Sequence, residues 1–279
     1  MFWDGLGDAE LEAHYNPRVG APDFAATLDR LRAASAAARD RFRCVLDVAF
    51  GPHPLQTLDL VLPERPTGAV HVFLHGGYWR ALDKADHTAV ALPMVLAGAI
   101  VALPNYRLCP AVRLSEVVAD ALAGTAAAVR AALGHGGDAG RVTVSGHSAG
   151  AHLAAFVLAE DWTRHGLPPD LPKGALLVSG IFDPAPVPRL AVNAEIGLSE
   201  EDARRWTALA APPRGTPDVL VAVGAREPAG WIDQSRLWHR TFGGRWLEVP
   251  GADHFTVALD MADPDGVLGR EAARMVAAV

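Results

Sequence analysis

The chain has 279 residues, half of them hydrophobic, and a formal net charge of −7 from 25 basic and 32 acidic side chains. That balance, with no Lys/Arg-rich stretch, argues against nucleic acid as a partner. Cys44 and Cys109 have no metal-ligand spacing and read as buried small hydrophobes in a reducing compartment. No basic segment leading into a long apolar one opens the chain. The most apolar run, residues 89–104, is broken by Pro93 and Gly98 and is too short to span a bilayer. A cytoplasmic protein with no membrane partner is expected.

Residues 1–43 read as an N-terminal arm ahead of the main fold. Within it Tyr15-Asn16-Pro17-Arg18 lies in a polar turn, and Phe24, Leu28, Leu31, Ala34 and Ala38 recur at helical spacing behind Asp23 as N-cap. Two strands, 45–50 and 55–61, are joined through Gly51-Pro52-His53-Pro54. A solid apolar strand, 69–74, runs into His75-Gly76-Gly77-Tyr78-Trp79. From there the pattern alternates: helix 85–97, strand 99–103, helix 115–133, strand 141–145, helix 152–159, strand 175–179. A Pro-rich insertion, 182–217, carries one short helix at 199–206. Strand 218–223, helix 231–242, strand 245–249 and a helical C-terminal segment complete the chain. Apolar strands alternating with helices imply an α/β fold with a mostly parallel, doubly wound sheet covered on both faces. The expectation is one domain over residues 1–279 with a small cap-like insertion.

The stretch Gly146-His147-Ser148-Ala149-Gly150 sits where the fifth strand gives way to a helix. Gly-x-Ser-x-Gly at such a junction is the nucleophile-elbow pattern. A serine on so tight a turn needs small neighbours, which Gly146 and Gly150 supply, and the N–H of Ala149 is free to face a developing oxyanion. An acyl-transfer serine also needs a base, an orienting acid and oxyanion donors. In a doubly wound hydrolase the acid and the histidine follow the serine in that order, each past a strand end. Glu227 follows the strand that ends near Val223, and His254 follows the one that ends at Val249. Asp253 is the rival acid, although a neighbour of the base usually points elsewhere. Gly76 and Gly77 follow an earlier strand and offer backbone N–H groups with no side chain in the way. His147 and His152 flank the serine and read as structural. The remaining histidines form no ligand spacing, so no metal is expected.

These stretches resemble the α/β-hydrolase superfamily, and within it the kynurenine formamidase (arylformamidase) family and its esterase relatives. The resemblance rests on His75-Gly-Gly-Tyr-Trp79, Asn105-Tyr-Arg-Leu-Cys-Pro110, Gly146-His-Ser-Ala-Gly150 with His152, Ser179-Gly-Ile-Phe-Asp183, Gln234-Ser235 and Asp253-His-Phe255. Tyr15-Asn16-Pro17 is similar to that family's N-terminal arm. The hydrolase motifs span nearly the whole chain, while the formamidase likeness is shared with plain esterases.

The resemblance implies the α/β-hydrolase fold and a Ser148–Glu227–His254 triad. It also implies an oxyanion hole around Gly76, Gly77 and the Ala149 N–H. The family usually carries aspartate as the acid, whereas here Glu227 is followed by Pro228, its extra methylene letting the carboxylate reach from farther back. The implied enzyme is a cofactor-free serine hydrolase acting on a small molecule: an arylformamidase of the N-formylkynurenine type or, alternatively, a carboxylesterase on small or aryl esters. A non-catalytic binding protein of this fold would be marked by loss of the serine or histidine, and both are present. Tyr78, Trp79, Phe182 and Trp231 lie next to the site loops and are expected to line an aromatic pocket. A homodimer is left open.

Overall fold

The computed structural model describes residues 2–279. The chain opens with helices α1 (Asp8–Tyr15) and α2 (Phe24–Arg41), then strands β1 (Arg43–Ala49), β2 (Thr57–Leu62) and β3 (Val70–Leu74). A 3-10 helix, Lys84–Ala91, runs into the short α3 (Leu92–Leu96), followed by β4 (Ile100–Pro104), α4 (Leu114–Leu133), β5 (Val142–His147) and α5 (Ala149–Ala159). Then come β6 (Gly174–Val178), α6 (Asn193–Ile196), α7 (Glu200–Arg205), β7 (Asp218–Gly224), α8 (Ala229–Phe242), β8 (Arg245–Val249), α9 (Thr256–Ala262) and α10 (Val267–Ala277).

Three expectations change in detail. The helix expected over 85–97 is mostly 3-10, and the α-helical turn begins only where Pro93 takes an opening position and needs no N–H partner. The 182–217 insertion holds α6, α7 and two 3-10 turns, Val187–Arg189 and Ala208–Ala210, instead of one helix. Cys109 is buried, but Cys44, on the edge strand, is only half-buried.

The eight strands form one sheet in the order β1-β2-β4-β3-β5-β6-β7-β8. β1, β2 and β4 pair antiparallel, and from β4 across to β8 every pairing is parallel. β1 is the exposed edge, and a register shift between Val45 and Val48, with Asp47 at φ 55°, breaks its pairing. Such a bulge blunts an edge against further strand addition.

Strands β3 to β6 are buried along their whole length, and the polar residues of β3 and β5 pair with one another: His71 Nδ1 lies 2.8 Å from Thr143 Oγ1 and its Nε2 2.6 Å from Ser145 Oγ. Alternate residues serve opposite faces. Val70, Val72 and Leu74 join the core under α4 and α5, while Ala69 and Phe73 join the one under α3, α9 and α10. The chain steps from β3 to β4 on one side and returns to lay β5 on the other. That reversal opens a crevice beyond the carboxyl ends of β3 and β5, the ordinary ligand position in open α/β sheets.

The N-terminal arm is fastened over this crevice. Ser35 Oγ donates to the Asp86 carbonyl and accepts from the Ala89 N–H, at 2.9 and 3.0 Å, and Arg39 reaches the Ala85 carbonyl at 2.8 Å. α1 is held to the Pro-rich insertion by the Arg189–Asp8 pair at 2.6 Å and by the Ala191 N–H on Glu12 Oε2 at 3.0 Å. Among the described residues, no helix is long and apolar enough to cross a membrane.

Candidate active site

Between β5 and α5 the backbone turns through Ser148 at φ 58° and ψ −121°, a conformation L-residues rarely adopt. The flanking glycines make that turn sterically feasible. A Cβ on Gly146 would collide with the Gly150 carbonyl, and one on Gly150 with the Leu74 carbonyl of β3. The Ser148 N–H is held by the Val178 carbonyl of β6 at 2.9 Å, so the elbow is anchored to the neighbouring strand.

The residues that follow β7 and β8 meet the serine. His254 Nε2 lies 3.0 Å from Ser148 Oγ, and His254 Nδ1 lies 2.6 Å from Glu227 Oε2. All three are buried. The other carboxylate oxygen, Glu227 Oε1, accepts from Ser179 Oγ at 2.5 Å and from the Gly224 N–H at 2.7 Å. A carboxylate taken out of water needs donors on its oxygens to offset the lost hydration. Asp253 takes no part: its Oδ1 accepts from the N–H groups of Phe255 and Thr256, at 2.9 and 2.8 Å, and so caps the start of α9.

The loop after β3 faces the serine from across the crevice. A Cβ on Gly76 would stand 3.2 Å from Ser148 Cβ, which measures how closely this backbone approaches. Gly77 adopts φ +116°, and a Cβ there would run into the Ala81 carbonyl. The N–H groups of Gly76, Gly77, Tyr78 and Ala149 carry no hydrogen bond within the described residues, which leaves them available to an incoming oxygen. His75 braces the loop. Its Nδ1 lies 2.7 Å from the Gly76 carbonyl, and its ring stacks on Tyr106 at 4.3 Å, while the Tyr106 hydroxyl donates to the His75 carbonyl at 2.7 Å.

A second imidazole, His147, lies 4.8 Å from the His254 ring. Burial pushes its pKa well below the usual histidine range, and the nearby His254 adds to the effect. Burial likewise lowers His75 to about 4 and His152 to about 4. These imidazoles are neutral near pH 7, so none puts a positive charge beside His254. His152 is structural, its Nε2 2.8 Å from the Trp206 carbonyl. Among the described residues no group of three His, Cys, Asp or Glu side chains is gathered to hold a metal.

Ser148 and His254 open into a cavity of about 340 Å³. Phe24, Leu28 and Leu31 of α2 form an apolar wall, with Phe255 and Ala258 beside them, and Arg18 and Glu12 stand among the polar residues. Leu190 to Val192 of the insertion also contribute. Of the four aromatics expected in the pocket, only Tyr78 lines it. Trp79 is fully buried and packs edge-on against His152 at 5.1 Å. Phe182 packs on Trp238 in the core, at 5.8 Å. Trp231 is buried behind the site with its ring 4.1 Å from His254, where it supports the imidazole without reaching the cavity. Successive positive φ values at Tyr78 and Trp79, 52° and 58°, turn neighbouring side chains to different sides of the loop. Sequence reasoning missed Ser179 as a partner of the acid and missed the arm as a cavity wall. The helical spacing of Phe24, Leu28 and Leu31 was the signal for the second.

Comparison with known proteins bears on the fold and the family. A family model described as the alpha/beta hydrolase fold matches residues 71–232. The chain is 29% identical to a kynurenine formamidase of Danio rerio, with 98% of each chain covered. It is 35% identical, over 42% of its own length and 28% of the relative's, to an isoprenylcysteine alpha-carbonyl methylesterase of Arabidopsis thaliana. The crystal structure of a candidate thioesterase from silicibacter sp. tm1040 superposes with a TM-score of 0.80 at 30% identity, covering 95% of this chain and 98% of that one. Sheet order, a serine elbow after the fifth strand and a matching family model over more than half the chain lead to one conclusion: the chain belongs to the alpha/beta hydrolase family and is a hydrolase.

Proposed function

We propose that this protein is a serine hydrolase that cleaves a small amide or ester through an acyl-enzyme, with an arylformamide of the N-formylkynurenine type as the best-fitting substrate. The observation that carries the reading is the continuous hydrogen-bonded chain from Ser148 Oγ through His254 to Glu227, at the edge of a cavity of about 340 Å³. Ser148 attacks the carbonyl carbon as His254 Nε2 takes the hydroxyl proton. Glu227 holds the Nδ1–H tautomer and stabilises the imidazolium that forms. The tetrahedral oxyanion accepts from the Ala149 N–H and from the loop at Gly76 and Gly77. His254 then protonates the departing amine or alcohol, the C–N or C–O bond breaks, and water clears the acyl group by the same steps in reverse.

The kynurenine formamidase of Danio rerio, matched over 98% of its length, supports the arylformamide. The cavity supports it too, because Phe24, Tyr78 and Phe255 offer aromatic surface to a flat leaving group. The matched methylesterase favours a second reading, a carboxylesterase on small or aryl esters, which would use the same residues.

The test joins a covalent probe to a substrate series. An organophosphonate should label Ser148 alone, as read by peptide mass mapping. N-formylkynurenine should be hydrolysed, and p-nitrophenyl ester rates should fall from acetate to butyrate to hexanoate. A methylene that is not accommodated changes discrimination by about 1–3 kcal/mol. A flat or rising series with no formamide turnover retires the formamidase in favour of the esterase, and labelling of another serine retires both.

A further inference from the structure

We propose that Ser179 is a positioning residue of this site, holding the Glu227 carboxylate in the one orientation that serves His254. The inference rests on the serine-hydrolase reading above and assigns the step from acid to base to a hydroxyl outside the triad. Ser179 immediately follows β6, is fully buried, and adopts φ 51°. A non-glycine residue held there is unusual, and such strain persists where the surroundings fix it. Its N–H donates to the Ala222 carbonyl of β7 at 2.8 Å. The carbonyl just before it, Val178, accepts the Ser148 N–H. One peptide unit is thereby tied both to the nucleophile's turn and to the strand that carries the acid.

The side chain completes the arrangement. A hydroxyl has one proton to give, and Ser179 gives it to Glu227 Oε1 at 2.5 Å. The Gly224 N–H takes the same oxygen at 2.7 Å, so Oε2 alone is left for His254 Nδ1. Glutamate has a terminal torsion that is broad and roughly two-fold, and it has one more rotatable bond than aspartate. Two donors on one oxygen stop that rotation. With Ser179 lost, the Gly224 N–H is the single remaining tie on Oε1, and the carboxylate is held less firmly against the imidazole.

Three variants test this. Ser179→Ala removes the hydroxyl and keeps the backbone strain. Ser179→Gly removes the hydroxyl and relieves the strain, because glycine enters the left-handed region freely. Both should keep the fold by thermal melting and lower kcat about 10- to 100-fold, the range for loss of one charge-assisted bond, with KM changed less than about two-fold. The third is Ser179→Ala combined with Glu227→Gln, read by the rate of phosphonate labelling of Ser148. If Ser179 acts only through Glu227, the serine change costs nothing further once the carboxylate is gone. Wild-type kcat in the folded glycine variant overturns the proposal, and so does an undiminished penalty in the Glu227→Gln background. Ser148→Ala, run alongside, separates the two layers. Retained turnover in that variant sinks the serine mechanism and this inference with it. An inactive Ser148→Ala beside a fully active Ser179→Gly sinks only the positioning role.

Discussion

Replacing Glu227 by glutamine changes one atom and tests whether this carboxylate sets the histidine tautomer. Oε1 accepts from the Gly224 N–H, which can only donate, and from the Ser179 hydroxyl beside it. A glutamine must therefore turn its carbonyl oxygen toward that pair and its NH₂ toward His254 Nδ1. Facing a donor, Nδ1 becomes an acceptor and the ring proton moves to Nε2. Nε2–H then points at Ser148 Oγ, 3.0 Å away, and has no lone pair with which to take its proton. The wrong tautomer in an otherwise intact triad lowers kcat by about 10⁴, equivalent to about 5.4 kcal/mol of barrier. The assay is kcat on an aryl ester, with ¹⁵N-labelled histidine to report which ring nitrogen carries the proton. Asp253→Asn should stay within a few-fold of wild type, because Asp253 caps α9 and does not touch the imidazole. Glu227→Gln within ten-fold of wild type, or Asp253→Asn the worse variant, refutes the reasoning.

Acid should weaken the fold in a defined window. Burial lowers His71 to about 3 and His75 and His152 to about 4, against about 6.5 in an unfolded chain. Depressed folded-state values mean that the stability is complete above about pH 6.5 and is lost as pH falls toward 4, because the unfolded chain binds protons the native one refuses. From pH 7.5 to 5.5 the loss is about 4 kcal/mol for the three sites together. Urea denaturation at the two pH values measures it, and an unchanged unfolding free energy contradicts the neutral buried imidazoles. Tyr78→Phe removes the hydroxyl that donates to the Tyr15 carbonyl at 2.7 Å. It should cost about 1 kcal/mol of stability and raise KM several-fold by loosening the arm over the cavity, and unchanged values of both would show that this tie does not hold the wall.

Much of the site was legible because its steric demands leave few alternatives. Gly146 and Gly150 are each required by a backbone oxygen that a side chain would strike, so the elbow can be read directly from the residues. The parallel sheet was legible for a similar reason: strands such as Ile100–Pro104 and Gly174–Val178, buried on both faces, carry no polar side chain. The aromatic pocket was not legible. Adjacency in sequence says that Trp79 and Trp231 are near the site but not which way their loops turn them, and positive φ values redirect Tyr78 and Trp79. Nor does an amphipathic stripe name its partner. The spacing of Phe24, Leu28 and Leu31 marks a helix with an apolar face, and only the tertiary fold lays that face along the cavity.

The glutamate at the acid position is explained by how its loop is built. Glu227 lies three residues past the end of β7, and its side chain folds back so that Oε1 reaches the N–H of Gly224, the last residue of that strand. The return needs a bare backbone: a Cβ on Gly224 would stand 3.0 Å from Glu227 Oε1 and 2.5 Å from the Ala252 carbonyl. Ala252 belongs to the loop that delivers His254, and its carbonyl accepts the Arg226 N–H at 2.9 Å, so the acid loop and the base loop are pinned together one residue before Glu227. Pro228 then serves as the N-cap of α8 in an extended conformation, which fixes where the loop must end. Within that frame the extra methylene spans the turn back to the strand end, and the carboxylate arrives with one oxygen occupied by structure and one left for chemistry. The same constraint makes Ser179 necessary, because the longer side chain that closes the distance also adds the torsion that a second donor has to stop.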